Sequence, residues 1–276
     1  MRMWYIIIGI ALCAVALLLA SCSKGLWNSK AGVERTGVSV VAHRAAAGLA
    51  PENSLAAVDK ALAAGVDAIE VDVHLTADGE LVVCHDNTIE RTTNGKGRIA
   101  DMTLEEIRAY RIVDADGAVT DEVVPTLGDV LWRINGGCRV LVEAKRTKDA
   151  ERMAKALINE IALYQAAEWV AVQSFDTDVL AHIHRLGHPF ALEKLFYFKV
   201  PLLPFAYDGS LTRFNCSKYD YISSFNFYYK YISPRLVKKI HSCGKSIKVW
   251  TLDAPKESPM LPVDGVITNR PDLWKR

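Results

Sequence analysis

The sequence predicts an α/β fold, and in particular a (β/α)8 TIM barrel, on three observations. From Val38 onward, short apolar runs alternate with amphipathic stretches, as strands and helices do when they build one parallel sheet. About eight such strands fall within about 240 residues, a length typical of a closed (β/α)8 barrel. No Gly-x-Gly-x-x-Gly follows the first strand, so the alternative fold, a doubly wound sheet, is disfavoured in its dinucleotide-binding form.

The predicted strands are short apolar runs bounded by turn residues. In the second of them, apolar and polar residues alternate strictly, as they do in a strand whose two faces meet different surroundings. The Asp78-Gly79 turn separates it from the third. In chain order the predicted strands are Val38–His43, Ala68–Leu75, Leu81–His85, Arg139–Lys145, Val170–Phe175, Tyr219–Phe225, Ser246–Leu252 and Gly265–Thr268.

The predicted helices carry apolar residues at the spacing of one helical face. Asn53 or Ser54 can cap the start of the first helix, and Gly244 lies just beyond the last, where glycine often ends a helix. In chain order the predicted helices are Ser54–Ala64, Leu104–Tyr110, Leu127–Asn135, Ala150–Tyr164, Thr177–Leu186 and Pro234–Ser242.

Composition excludes two broad classes of protein. The chain has 276 residues, with 33 Lys+Arg and 32 Asp+Glu, and its formal net charge of +1 offers no general attraction to nucleic acid. Charged residues make up 24% of the chain, an ordinary share for a globular protein, so disorder is excluded for most of its length.

The N-terminus has the features of an export signal. Arg2 precedes the 18 uncharged residues of Met3 to Ala20. The tetrad Leu19-Ala20-Ser21-Cys22 resembles the lipobox of bacterial lipoproteins, which implies that Cys22 is lipidated and becomes the mature N-terminus. Residues 1–21 are then a signal peptide, 22–37 a polar tether and 38–276 the folded domain. An uncleaved anchor helix is the alternative. Both place the domain in the bacterial cell envelope, outside the cytoplasm, at the inner or outer membrane.

Four cysteines remain once the signal peptide and Cys22 are set aside: Cys84, Cys138, Cys216 and Cys243. Their spacings of 54, 78 and 27 residues match no zinc pattern. An envelope protein can form disulfides, but the spacing specifies no pairing. We therefore expect buried free thiols.

Polar residues cluster at the predicted strand ends, which form the active face of a (β/α)8 barrel. Glu70 and Asp72 are two apart on one strand and so share a face. With Glu143 they make a set of hard oxygen ligands that suits Mg²⁺ or Ca²⁺. An ion network closed by Arg44 and Lys145 is the alternative, since buried carboxylates need a cation or basic partners.

A family resemblance follows from motifs spread over 38–274. The motifs are His43-Arg44, Pro51-Glu52-Asn53-Ser54, Glu70-x-Asp72-x-His74-x-Thr76-x-Asp78-Gly79, His85-Asp86, Arg91-Thr92-Thr93-Asn94-Gly95, Glu143-x-Lys145, Gln173-Ser174-Phe175, Val249-Trp250-Thr251 and Asp264-Gly265-Val266-Ile267-Thr268. Together they resemble the glycerophosphodiester phosphodiesterase (GDPD) family. The resemblance implies a TIM barrel of the phospholipase-C-like phosphodiesterase type, with a short insertion after the second strand. It also implies hydrolysis of glycerophosphodiesters to glycerol 3-phosphate and an alcohol.

The resemblance also implies roles for individual residues. His43 and His85 would be the general acid/base pair, and Arg44 and Lys145 would bind the phosphate. The metal ligands would be Glu70, Asp72 and Glu143, holding one divalent cation, Mg or Ca. Histidine titrates near neutrality, and a phosphodiester needs cations to neutralise the charge on its oxygens, so each role is chemically sound. The implied nucleophile is the free glycerol hydroxyl of the substrate.

Aromatic residues are concentrated late in the chain, with 14 of the 24 lying between Phe190 and Ile232. They either pack in the core under a long loop or form an aromatic lip at the barrel mouth that touches lipid. Trp250, at a strand end, is expected to wall the glycerol pocket, with a place in the core as the alternative. Two other functions stay open: a lysophospholipase D, which an aromatic lip would favour, and a non-catalytic surface binding protein.

Overall fold

The structure is a computed structural model, and it describes residues 37–196, 198–199, 205–206, 215–257 and 262–274. The predicted signal peptide, Cys22 and all of the predicted tether except Gly37 lie outside the described residues. Among the described residues, no helix is long and apolar enough to cross a membrane. All of the described residues except Gly37 belong to one compact unit, Val38–Arg276.

Eight parallel strands close into a barrel, as the sequence predicts. Closure is visible at the first strand, which pairs in parallel with both the second and the last, so the strand order returns on itself; an open sheet instead leaves two edge strands. In order around the barrel, the strands are β1 (Ser39–Ala42), β2 (Ala68–Leu75), β4 (Arg139–Ala144), β5 (Val170–Ser174), β6 (Ala191–Phe196), β9 (Ser224–Tyr228), β10 (Ser246–Trp250) and β11 (Gly265–Thr268). A short strand, β3 (Leu81–Val83), pairs antiparallel with β2, and two-residue strands β7 (Phe198–Lys199) and β8 (Phe205–Ala206) pair with each other.

Six α-helices lie in the described part of the chain, and they begin where the sequence supplies caps. The Ser54 side chain accepts a hydrogen bond from Ala57 N–H, so Ser54 rather than Asn53 caps the first helix. Thr103 and Thr126 start the second and third through reciprocal capping boxes. The helices are α1 (Leu55–Ala63), α2 (Leu104–Arg108), α3 (Leu127–Ile134), α4 (Ala150–Leu163), α5 (Thr177–Leu186) and α6 (Pro234–Ser242).

Two of the predicted strands need correction. Leu81–His85 is not a barrel strand, because only Leu81–Val83 is extended and it runs antiparallel to β2. The missing barrel strand is β6, which the sequence analysis did not predict. Its centre is Glu193-Lys194, a charged pair typical of a surface turn, yet both side chains are fully buried. The charges hid the strand because they are satisfied inside the fold rather than in water.

The predicted strand Tyr219–Phe225 is also misplaced. Cys216–Tyr219 is a 3-10 helix, and the strand of this region is Ser224–Tyr228. Phe225 and Phe227, which share one face of the strand, and Asn226, which points to the other, are all buried. Both faces of this strand are therefore covered, and the alternation of buried and exposed residues that would set its register is missing.

The expectation of free thiols is wrong for two of the four cysteines. Cys216 and Cys243 form a disulfide that joins the 3-10 helix before β9 to the C-terminal end of α6. The two Cα atoms are 6.4 Å apart although 27 residues separate them in sequence, a proximity that only the fold creates. Cys84 and Cys138 are free thiols; Cys84 is buried and Cys138 is partly exposed.

Between β3 and α3 the chain forms the predicted short insertion, which has an apolar core of its own. This second core is separate from the main cluster between the barrel and its helices. Its members are Val82, Cys84, Ile89, Ile99, Ile107, Ile112 and Val124. Val82 lies in β3 and Cys84 follows the end of this strand, so the core of the insertion packs against the end of β3. His85 is the next residue along the chain.

Candidate active site

Three carboxylates converge inside the barrel. Glu70 and Asp72 alternate along β2, and Glu143 on β4 lies directly opposite Asp72 in the parallel register. One potential ligand atom from each residue lies within 4.8 Å of the others, and all three side chains are buried. The i, i+2 spacing thus places these groups on one face, as predicted, and the neighbouring strand adds the third carboxylate.

The electrostatics of this triad fit a cation. Burial, followed by repulsion from Asp72 and Glu143, raises the pKa of Glu70 well above its usual value. Burial likewise raises the pKa of Glu143 to about 7, although Lys145 opposes the shift. For Asp72, burial opposes ionisation, but Lys145 and two histidines outweigh it and hold the pKa below its usual value. Three buried oxygen donors with surplus negative charge are the chemistry that suits a hard divalent ion.

The ion network considered from the sequence is present, but it balances only part of that charge. Lys145 Nζ lies 2.7 Å from Asp72 Oδ1 and 2.7 Å from Glu143 Oε1. The Arg44 backbone N–H donates to Glu70 Oε2 at 2.8 Å, whereas its guanidinium Nε is 3.9 Å from Asp72 Oδ2. Glu70 therefore receives hydrogen bonds but no close side-chain cation among the described residues.

Asn53 is a functional residue whose part the sequence analysis did not foresee. Its side-chain Nδ2 donates to Asp72 Oδ2 at 2.8 Å, and its Oδ1 accepts from the Asp72 backbone N–H at 3.3 Å. The residue is buried and has a φ of 58°, a left-handed conformation that asparagine tolerates better than most residues. The available signal was the Pro51-Glu52-Asn53-Ser54 motif, which places an asparagine just before the helix cap.

His43 follows β1 in a short 3-10 turn and is anchored through one ring nitrogen. Nδ1 lies 2.7 Å from Asn269 Oδ1, and Asn269 in turn donates from Nδ2 to Asp253 Oδ2 at 3.0 Å. Burial lowers the pKa of His43 to about 4, with Asp72 opposing the shift and Arg44 adding to it. The ring is therefore neutral at pH 7 in the metal-free protein, which suits a proton acceptor.

His85 is anchored in the same manner. Its Nδ1 lies 2.7 Å from Asp86 Oδ1, and burial lowers its pKa despite the opposing charges of Asp72 and Asp86. His85 is close enough to His43 for its charge to contribute to the lowered pKa of His43. Within the described part of the chain, no hydrogen-bond partner is found for Nε2 of either ring.

Arg44 lies between the triad and an acidic residue of the same loop. Its Nη1 donates to both oxygens of Glu52, at 3.1 and 3.2 Å. Its Nε is buried and has no hydrogen-bond partner among the described residues. The turn that carries it holds Arg44, Ala45 and Ala46 at positive φ, so the backbone curls tightly beside the carboxylates.

Trp250 ends β10 and belongs to a group of aromatic rings. Its ring meets Phe175 edge-on at 5.7 Å and Tyr228 at 5.5 Å between centroids. Its Nε1 donates to the Asn226 carbonyl at 3.3 Å, and the side chain is partly exposed. Most of the other aromatic residues described between 190 and 232 are core residues. Tyr197, Tyr207 and Phe214, and the side chains of Phe198 and Phe205, lie outside the described residues.

A buried chain of polar side chains supports the triad from within the barrel. Gln173 Nε2 donates to Glu70 Oε1 at 3.3 Å, and Gln173 Oε1 accepts from Asn226 Nδ2 at 2.9 Å. Asn226 Nδ2 also reaches Glu193 Oε2 at 2.7 Å, and Lys248 Nζ donates to Glu193 Oε1 at 2.6 Å. This chain was not predictable from the sequence, because its charged members look like surface residues until the barrel closes.

Breaking the charge pair in this chain is expected to destabilise the fold. We predict that Lys248→Met lowers the free energy of unfolding by about 3–5 kcal/mol, because Glu193 is left as a buried carboxylate without its ammonium partner. Urea denaturation measures the change. The matched control is Lys155→Met, whose pair with Glu151 on α4 is exposed and screened by solvent, so its loss should lower the free energy of unfolding far less. Equal losses in both variants would contradict the prediction.

Every predicted site residue from His43 to Trp250 lies among the described residues, and only Cys22 does not. The structure brings the three carboxylates, Lys145, Arg44 and the two histidines into mutual contact or electrostatic range. The residues that hold them, which the sequence analysis did not assign, are Asn53, Asp86, Arg91, Gln173, Asp253 and Asn269.

The chain is similar in both sequence and structure to proteins of one known family. The model of the Glycerophosphoryl diester phosphodiesterase family matches residues 43–273. A glycerophosphodiester phosphodiesterase of Caldanaerobacter subterraneus is 32% identical over 242 residues, covering 84% of this chain and 94% of its own. The crystal structure of a glycerophosphodiester phosphodiesterase from Parabacteroides distasonis is similar with a TM-score of 0.69 at 27% identity, covering 84% of this chain and 92% of that one. One from Thermotoga maritima has a TM-score of 0.68 at 25% identity, with coverage of 87% and 98%.

Proposed function

Because the chain belongs to the glycerophosphoryl diester phosphodiesterase family, whose members are phosphoric diester hydrolases, we propose that it cleaves glycerophosphodiesters by His/His acid–base catalysis at a divalent cation site. The products are glycerol 3-phosphate and an alcohol. One observation carries the proposal: two histidines, each anchored through Nδ1, lie within electrostatic range of a buried carboxylate triad.

The two histidines divide the proton transfers between them. One Nε2 accepts the proton of the substrate's free glycerol hydroxyl, which attacks phosphorus; the other Nε2 donates a proton to the oxygen of the departing alcohol. The phosphorus–oxygen bond to that alcohol breaks, leaving a cyclic phosphate that water opens to glycerol 3-phosphate. Anchoring at Nδ1 fixes the direction of Nε2 in each ring: the neutral ring accepts a proton at Nε2, and the ring that donates does so from its imidazolium form.

Glu70, Asp72 and Glu143 would hold one divalent cation, and Mg or Ca suits their oxygen donors. When bound, the ion supplies positive charge that polarises a phosphoryl oxygen. Arg44 and Lys145 add charge from the protein. Arg44 Nε is a buried donor without a partner among the described residues, and Lys145 lies against two of the triad carboxylates.

The test is product release by the purified protein with Mg²⁺ or Ca²⁺ present. We expect glycerophosphocholine to yield glycerol 3-phosphate and choline in equal amounts, and the His43→Ala/His85→Ala double variant to yield neither. Choline phosphate and glycerol as the products would place the cleavage at the other ester bond and contradict the proposal. Binding of the diester without turnover would instead support a surface binding protein.

A lysophospholipase D is the second candidate, because aromatic rings surround Trp250. Turnover of lysophosphatidylcholine beside glycerophosphocholine separates the two activities. Strong turnover of only the lysolipid would replace the first proposal with the second.

We further propose that residues 1–21 are a signal peptide, that Cys22 carries lipid, and that residues 22–37 tether the catalytic domain of 38–276 in the cell envelope. The support is the lipobox-like tetrad Leu19-Ala20-Ser21-Cys22. Radiolabelled palmitate should enter the wild-type chain in a bacterial host but not the Cys22→Ser variant. Equal labelling of both would contradict lipidation at Cys22, and membrane fractionation would identify the membrane.

A further inference from the structure

The motif Arg91-Thr92-Thr93-Asn94-Gly95 has no part in the proposed mechanism, yet its first residue contacts the site. Arg91 Nη1 and Nη2 donate to the two oxygens of Glu52, at 2.9 and 2.7 Å. Arg91 Nε donates to Asp86 Oδ2 at 2.6 Å. A single guanidinium therefore joins two acidic residues that lie 34 positions apart in sequence, one after β1 and one after β3.

Asp86 passes this contact on to His85. Its second oxygen, Oδ1, lies 2.7 Å from His85 Nδ1, so the carboxylate is held at one oxygen by Arg91 and holds the imidazole with the other. Glu52, which fixes Arg91 from the far side, is itself bound by Arg44 Nη1. The contacts form one continuous chain from Arg44 through Glu52, Arg91 and Asp86 to His85.

We infer that Arg91 is a positioning residue for His85, acting through Asp86, and that Glu52 sets the orientation of Arg91. The inference rests on the proposed function, because it assigns His85 a proton-transfer role. Asp86 and the His85 side chain are about a third exposed, so packing alone does not fix their rotamers.

The fork geometry explains why arginine fits this place. A planar guanidinium can bind one carboxylate with two parallel hydrogen bonds and a second with Nε, and the three bonds fix its plane. The hydrogen bond from Arg91, the largest contribution, lowers the pKa of Asp86 to about 2, so Asp86 stays ionised and keeps accepting from His85 at neutral pH. Lysine would supply the charge without the fixed plane.

The insertion between β3 and α3 places Arg91 at this point. Ile89, two residues earlier, is fully buried in the insertion core, and the Thr93 hydroxyl donates to the Ile89 carbonyl at 2.7 Å. The backbone around Arg91 is therefore held by the insertion, while its side chain reaches the barrel loops. The insertion therefore supports the orientation of the His85 ring through the side chains of Arg91 and Asp86.

The test is steady-state kinetics of Arg91→Met and Arg91→Lys with glycerophosphocholine. We expect Arg91→Met to lower kcat by about 10- to 100-fold with KM changed by less than about twofold, since misplaced catalytic groups cost rate rather than binding. Arg91→Lys should recover part of the loss. Arg133→Met is the matched control, because Arg133 binds both oxygens of Asp59 at an exposed pair outside the site; its kcat should stay at the wild-type value.

A double-mutant cycle separates positioning from general destabilisation. In the Asp86→Asn background, Arg91→Met should add less than about a threefold further loss, because two residues that act through one path are not additive. Full additivity, or a loss matched by a fall in melting temperature, would overturn the inference. A wild-type protein that turns over no diester would instead contradict the proposed function, so the two failures are distinguishable.

Discussion

Replacing either His43 or His85 by alanine lowers kcat by at least about 100-fold, the usual scale of general acid–base catalysis. Each ring is held at Nδ1, by Asn269 or by Asp86, so the remaining nitrogen is the one that can exchange protons with the substrate. Alanine removes the proton carrier but leaves the carboxylate triad and Lys145 in place. KM should therefore change much less than kcat.

The control for these variants is His241→Ala. His241 lies in the last turn of α6, is exposed and pairs with Asp264, and it should leave kcat unchanged. Melting temperatures of all three variants show whether the fold is intact. Wild-type rates in His43→Ala or His85→Ala would refute the acid–base assignment. Loss in only one variant would mean that a single histidine performs the proton transfers.

The site residues were predictable because their spacing follows the geometry of the fold. Glu70 and Asp72 alternate on a strand, and His43 follows another, so sequence position alone places them at one end of a barrel. Their partners were not predictable in this way. Asn53, Asp86 and Arg91 come from separate loops, and only the closed barrel brings those loops together.

Hydrophobic patterning failed where polar groups are satisfied inside the protein. Glu193 and Lys194 read as exposed, but Glu193 pairs with Lys248 in the barrel, and Lys194 Nζ donates to the carbonyls of Phe175 and Leu195. Strand β6 was missed for this reason. The disulfide was missed for a related reason, because Cys216 and Cys243 are neighbours only once α6 packs against the barrel.

Removing divalent cations should abolish hydrolysis and also change stability in a way that activity alone does not report. Metal-free protein holds Glu70 and Glu143 as buried carboxyls with raised pKa values, so at these two positions the native state binds more protons than the unfolded chain. The stability that these two carboxyls contribute should therefore fall as the pH rises from about 5 to above 7, the interval between their unfolded and native pKa values. The buried histidines with lowered pKa values act in the opposite direction below about pH 6.5, so the net fall is expected above that pH. Adding Ca²⁺ or Mg²⁺ at about 100 times its Kd should restore about 2.7 kcal/mol.

Glu143→Gln separates metal binding from other sources of stability. Glutamine keeps an oxygen that can accept from Lys145 Nζ, now 2.7 Å from Glu143 Oε1, but it removes one of three mutually repelling charges. Above pH 7 the metal-free variant should be at least as stable as metal-free wild type, whereas the cation should no longer raise its melting temperature at the same concentration. Thermal unfolding with EDTA and with Ca²⁺ or Mg²⁺ measures both effects. A wild-type protein whose melting temperature and activity ignore both EDTA and added cations would remove the metal from the mechanism, and the triad would then be a buried ion network closed by Lys145 and Arg44.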